Sequence, residues 1–199
     1  LLTETVKAVS LFGVFAVFGF YIVSGYLMTA VLNKTYKFDL KSFALNRFLR
    51  LFPVYYLVVC STLIAFYLLP NAEAFHVVWY ARDRIQDIAG NLAIFPFEFY
   101  DAYFRIVPPA WSVAVELVCY FLLWLFIARS KQTALITAGV AAIYHVASLA
   151  LGQDWAARYF PFYAAILPFS IGASIYYFNE NISSFNANTI RRFFFLSAT

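Results

Sequence analysis

Five stretches of about twenty residues carry almost no charge, and this pattern restricts the chain more than any motif in it. Residues 8–33, 51–72, 132–153 and 159–179 contain no Asp, Glu, Lys or Arg, and 106–128 contains one, Glu116. Each is long enough to cross a hydrocarbon core of about 30 Å at about 1.5 Å of rise per residue. In hydrocarbon the backbone N–H and C=O groups have to be satisfied within the chain, which leaves helices or closed barrels. A barrel needs segments of alternating polarity, whereas these runs are continuous. The expectation is therefore an all-α, polytopic transmembrane bundle of about five spans. No internal repeat or Gly/Ser linker divides it, so residues 1–199 read as one domain. Composition agrees, because 64% AVILMFWYC with 12% charged residues leaves too little polar surface for a soluble domain.

The connections between the runs alternate in basic content. Lys34, Lys37, Lys41, Arg47, Arg50, Arg129, Lys131, Arg191 and Arg192 fall on one side, nine of the fourteen Lys and Arg, and Lys7, Arg82, Arg84, Arg105 and Arg158 on the other. Basic loops stay in the cytoplasm, so the nine-charge side is placed there and the net-acidic connection 73–105 outside. Topology accounts for the net charge of +4, and nucleic acid is not an expected partner. Cys60 and Cys119 lie inside apolar runs, which suggests neither a disulfide framework nor a metal site. The first run is too long, and lacks a cleavage site, for a signal peptide. Gly13, Gly19 and Gly25 are six apart, which is not the small-xxx-small spacing of a packed helix pair.

Two places carry candidate chemistry. Arg47 and Arg50 in NRFLRLFPVYY stand three apart, so on a helix both guanidiniums project from one face. They read either as anchors snorkelling to lipid phosphates or as a paired anion clamp, with two forks in register suited to a diphosphate. Glu116 lies about seven residues into the third span, where a charged carboxylate costs about 2.5–3.5 kcal/mol on insertion scales. Its compensation is either structural, from a neighbouring helix or Arg105, or functional; Ser112, four residues earlier, shares its face. His145, mid-span in AAIYHVASLA with no nearby carboxylate to orient it, reads as a helix-packing residue. His76, beside Trp79 and Tyr80, reads as an interfacial anchor, and Tyr55, Tyr56, Trp155, Tyr159, Tyr176 and Tyr177 need no catalytic reading. Phosphate-cradling glycine loops, HExxH and Gly-x-Ser-x-Gly are absent from the sequence.

Three passages in order resemble the acyltransferase 3 family, integral-membrane acyltransferases that modify sugars of O-antigens and exopolysaccharides. VFAVFGFYIVSGYLMT ends in Ser24, Gly25 and Tyr26; NRFLRLFPVYYL supplies Arg47, Arg50, Pro53, Tyr55 and Tyr56; AWSVAVELVCYF supplies Trp111, Ser112, Glu116 and Tyr120. The resemblance covers most of the chain and is weaker beyond about residue 130. It implies transfer of an acyl group, usually acetyl, from cytoplasmic acyl-CoA as cosubstrate to a sugar hydroxyl in the bacterial inner membrane, with no bound cofactor or metal. It assigns donor binding to Arg47 and Arg50, a supporting catalytic role to Glu116, and the lining of the site to Trp111, Ser112 and Tyr120. The family's catalytic histidine belongs to a first span that the chain lacks, and its members have more spans. The chain is therefore expected to be an interior piece, inactive alone, in which neither His76 nor His145 takes that histidine's role. A transport or flipping module for glycans or anions is the rival reading, with Glu116 lining a pathway. A structural subunit would leave Glu116 without a purpose.

Overall fold

The computed structural model describes residues 2–69, 79 and 84–196, with side chains described for 12–69, 79 and 84–180. His76, Tyr80 and Arg82 lie outside the described residues, as do the side chains of Lys7, Arg191 and Arg192. The elements are α1 (Leu2–Val31), α2 (Leu40–Leu68), α3 (Ile85–Ala93), α4 (Ala110–Leu125), α5 (Lys131–Ala150) and α6 (Phe162–Leu196). Among the described residues there is no strand, and the all-α bundle is what the charge-poor runs require. Four segments are long and apolar enough to span: Phe12–Tyr36, Leu40–Leu68, Lys131–Ala150 and Ala156–Glu180. The third run is a shorter apolar helix. Pro108 and Pro109 precede it, with Pro109 as its N-cap, and its 16 residues extend about 24 Å.

The contacts fix directions. Phe18 meets the ring of Tyr159, and further along Tyr26 meets Tyr176 and Asn179, so α1 and α6 run the same way. The Tyr21 hydroxyl donates to the Ser112 carbonyl and Asn33 to that of Ala128, so α4 is parallel to both. Helix α5 runs against α6, with Tyr144 on Tyr163 at one end and Lys131 over Phe178 at the other. Lys34, Arg129 and Lys131 thus gather at one end of the bundle, and Glu98, Arg105 and Arg158 at the other, as the alternating charge pattern implies.

Small residues set the tightest packing. Ala164, Ala165, Phe169, Ser170 and Ala173 of α6 are almost fully buried. A Cβ added at Gly25 would strike the backbone of Phe169, and one at Gly172 the backbone of Ile22, Tyr26 and Gly25. The two helices therefore cross backbone to backbone at Gly25 and Gly172. Six-residue spacing gave no hint of this, because only one glycine of the series takes part; Gly13 and Gly19 face open space. Outward positions such as Leu57 and Ile143, 67% and 69% exposed, form the apolar belt that lipid covers.

Helix α6 contains Pro168, which has no N–H to give the carbonyl of residue 164, four back. His145 Nε2 lies 3.0 Å from the Ala164 carbonyl oxygen. A carbonyl only accepts, so Nε2 carries the proton, and the histidine of α5 replaces the bond that the proline removes. The helix-packing reading of His145 thus has a specific cause.

The connection assigned to the outside folds back. Helix α3 and the 3-10 turn Phe95–Glu98 pack between α2 and α4, where Ile94 and Phe97 join Phe52, Tyr55, Ala110 and Ala114. Tyr55 and Tyr56, midway along α2, donate to the carbonyls of Asn91 and Leu92 at 2.8 and 2.7 Å. The buried Asn91 donates to the carbonyls of Asp87 and Phe104 and accepts from the Ile106 N–H. One amide thus closes the segment on itself. The indole of Trp79 donates to the Ile106 carbonyl at 3.3 Å.

Candidate functional site

Glu116 is the seventh residue of α4 and 4% exposed. Ser24 of α1 donates its hydroxyl to Glu116 Oε1 at 3.2 Å, and Tyr120, one turn on, donates to the same oxygen. Two hydroxyls from two helices therefore meet the intramembrane carboxylate, which offsets the cost of placing it there. Ser24 is itself buried. Its partner is 92 residues away in sequence, so the pairing exists only once α1 and α4 lie side by side.

Helix α2 brings the arginines. Arg47 is 9% exposed; its Nε is buried with no hydrogen-bond partner among the described residues, and it donates weakly to the Asn46 side chain at 3.4 Å. Arg50, one turn on, is exposed. The ring of Phe43, one turn before Arg47, meets that of Tyr120, which bonds Glu116, so α2 brings Arg47 to the side of the carboxylate's partner. Between α2, α4 and the Phe95–Glu98 turn lies a groove of about 770 Å³, lined by Lys41, Phe43, Arg47, Phe52, Phe99 and Tyr120 among others. It leads from two basic side chains to the tyrosine that holds Glu116.

The other expected site residues divide. Ser112 spends its hydroxyl on the Pro109 carbonyl at 2.9 Å, within its own first turn, and reaches α1 only through its backbone oxygen. Trp111 stands edge-on to Tyr159 and Phe160, with ring centres 5.3 and 4.7 Å apart. It lines a second, polar cavity and not the groove. Arg105 lines that cavity too, beside Glu98, whose Oε2 accepts the Phe162 N–H at 2.8 Å. Burial pushes the Glu98 carboxyl up to about 7, the Phe162 N–H and the Arg105 charge opposing this in part. Burial lowers Arg105 from its ordinary value.

Sequence reasoning passed over Glu98 and Asp87. Asp87 is fully buried, with neither carboxylate oxygen hydrogen-bonded among the described residues. Both sit in a segment rich in charge, where no single acid stands out. Among the described residues no three His, Cys, Asp or Glu side chains converge as metal ligands. Cys119 is buried and Cys60 exposed, both as free thiols.

A family model described as an acyltransferase domain matches residues 2–199. No curated protein and no solved structure matches the chain.

Proposed function

The chain belongs to the acyltransferase 3 family, and from that premise we propose that it is a membrane O-acyltransferase moving an acyl group, acetyl first among them, from acyl-CoA to a hydroxyl of a cell-surface or lipid-linked sugar. In enzyme terms it transfers groups other than aminoacyl groups. It is an integral membrane protein, and the bacterial inner membrane is its proposed location, with the end bearing Lys34, Arg129 and Lys131 in the cytoplasm.

The observation that carries the reading is the convergence of three helices on one carboxylate: Ser24 and Tyr120 bonded to Glu116, with Arg47 beside them at the head of the groove. The chemistry asks for these parts. The sugar oxygen attacks the thioester carbonyl, the carbon–sulfur bond breaks as the ester forms, and the hydroxyl proton must reach a base while coenzyme A leaves as its thiol. Arg47 and Arg50 hold the donor's diphosphate through planar forks. Glu116 supports the step by orienting the base or the acceptor hydroxyl, a role that needs a carboxylate fixed by neighbours, as this one is.

Steady-state kinetics of the full-length enzyme in membranes test the donor site. Arg50→Lys keeps the charge but loses the fork, and should raise the acyl-CoA KM about tenfold with the acceptor KM unmoved. Wild-type turnover at low acyl-CoA would make the arginines lipid anchors only.

A further inference from the structure

At the end of the bundle away from Lys34 and Lys131, a cavity of about 650 Å³ opens between the Phe95–Glu98 turn, the start of α4 and the connection from α5 to α6. The size falls within the roughly 300–1,000 Å³ of small-molecule sites. Its character is unlike that of the groove. Glu98, Asp101 and Arg105 line it together with Trp111, Tyr100 and Phe160, which places both signs of charge and flat aromatic faces around one space. Glu98 commits one oxygen to the Phe162 N–H, leaving the second for a ligand. Arg105 lies with its guanidinium 5.7 Å from the Phe97 ring centre, and its buried Nε has no partner among the described residues.

We infer that this cavity is the subsite that seats the acceptor, a hexose unit of a glycan, with Trp111 against the C–H face of the ring and Glu98 and Arg105 taking its hydroxyls. A pyranose has an apolar face and a rim of hydroxyls that both donate and accept. A site for it needs an aromatic plane at one wall and charged hydrogen-bonding groups of both kinds around the edge. Glu98 accepts and Arg105 donates. Asp101 is exposed at the rim and extends the accepting side. The mixture of one cation with two acids offers no net attraction to an anion, which separates this subsite from the arginine pair at the groove. The position also suits a second substrate: Phe162, whose N–H binds Glu98, has its carbonyl oxygen 3.8 Å from the thiol of Cys119, which stands one turn after Glu116 on α4, so the cavity and the carboxylate of the reaction site share that helix. The inference rests on the acyltransferase reading and adds where and how the sugar is held.

The test measures both Michaelis constants in the full enzyme in membranes, with acetyl-CoA and two acceptor arms, a free oligosaccharide and the same oligosaccharide on a polyprenyl diphosphate. Glu98→Gln retains an oxygen for the Phe162 N–H and so should preserve the fold. It should raise the acceptor KM about tenfold in whichever arm is turned over, with the acetyl-CoA KM unchanged. Trp111→Ala should do the same, and Trp111→Phe should recover most of the loss. Saturation-transfer NMR with methyl glycosides should show the ring C–H protons in contact with the wild type and not with Trp111→Ala. Transfer to sugar with an unmoved acceptor KM in both variants overturns the subsite and leaves the acyltransferase reading intact. No transfer to either acceptor by the wild type overturns the reading, and the subsite with it.

Discussion

Two parts of the bundle are held together by different means. Helices α1, α4, α5 and α6 meet through small residues and backbone contact, with Gly25 against Gly172 and a row of buried Ala and Ser along α6. Helix α2 lies almost apart from them, fastened to the α3 segment by two tyrosine hydroxyls on carbonyls and to α4 by rings such as Phe43 on Tyr120. Lipid tails are as apolar as leucine, so no hydrophobic force drives helices together within a bilayer. Close packing, supplemented by bonds such as Ser24 to Glu116, then serves the first group, and the tyrosine hydroxyls on carbonyls serve the second. Glu116 sits at the seam, bonded within the first group, with its partner Tyr120 lining the same groove as Arg47 of α2.

The largest expected effect tests the seam itself. Glu116→Gln keeps the shape and the accepting oxygen for Ser24 and Tyr120 but removes the charge, and turnover should fall about 10²–10⁴-fold, the range of a lost acid–base contribution. Near-normal turnover with normal expression would reduce Glu116 to a packing device and return the seam to the first group. Next comes the closely packed group. His145→Ala leaves the Ala164 carbonyl without its donor, at about 1–3 kcal/mol of stability, read from unfolding in detergent. In a Pro168→Ala background the backbone N–H returns and the same histidine change should cost little. Equal costs in both backgrounds would show that His145 acts through its rings and not through the carbonyl.

Smaller still is the fastening of α2. Tyr55→Phe should cost about 0.6 kcal/mol, the mean found for hydrogen bonds between membrane helices. A loss several times larger would mean that the polar contacts carry α2 alone, sharpening the contrast between the two groups. A different kind of readout is a slope in pH at Glu98. Its carboxyl titrates near 7 when folded and at an ordinary value of about 4.3 when unfolded. Between those values the unfolded chain has already lost a proton that the folded one keeps. Stability therefore falls as pH rises through that window and is flat on either side. Glu98→Gln should flatten the slope; an unchanged slope would assign it to another group.

Legibility followed the same division. The spans and their alternation were readable because a charge-free run of such length has few other meanings, and Glu116 was readable because it interrupts one. The arginine pair was visible by its spacing, although the burial of Arg47 beside an exposed Arg50 depends on where α2 meets α4. Ser24 as the partner of Glu116, and Trp111 turned to the other cavity, depend on helix rotation, which a single sequence does not carry. The packing of the α3 segment against α2 was not legible because its charges suggest solvent, whereas Asn91 ties the segment to itself and Tyr55 and Tyr56 tie it to α2. Glu98 and Asp87 were lost in that segment for the same reason.

The replacement of a proline's missing bond by a histidine on the next helix has a consequence for descent. Pro168 and His145 form one inherited unit written at two distant places. A lineage that loses the proline is released from the histidine, and one that loses the histidine first carries an orphaned carbonyl until the proline follows. Sequences that share this fold should therefore vary at 145 and 168 in concert, and the order of the two changes should be proline first.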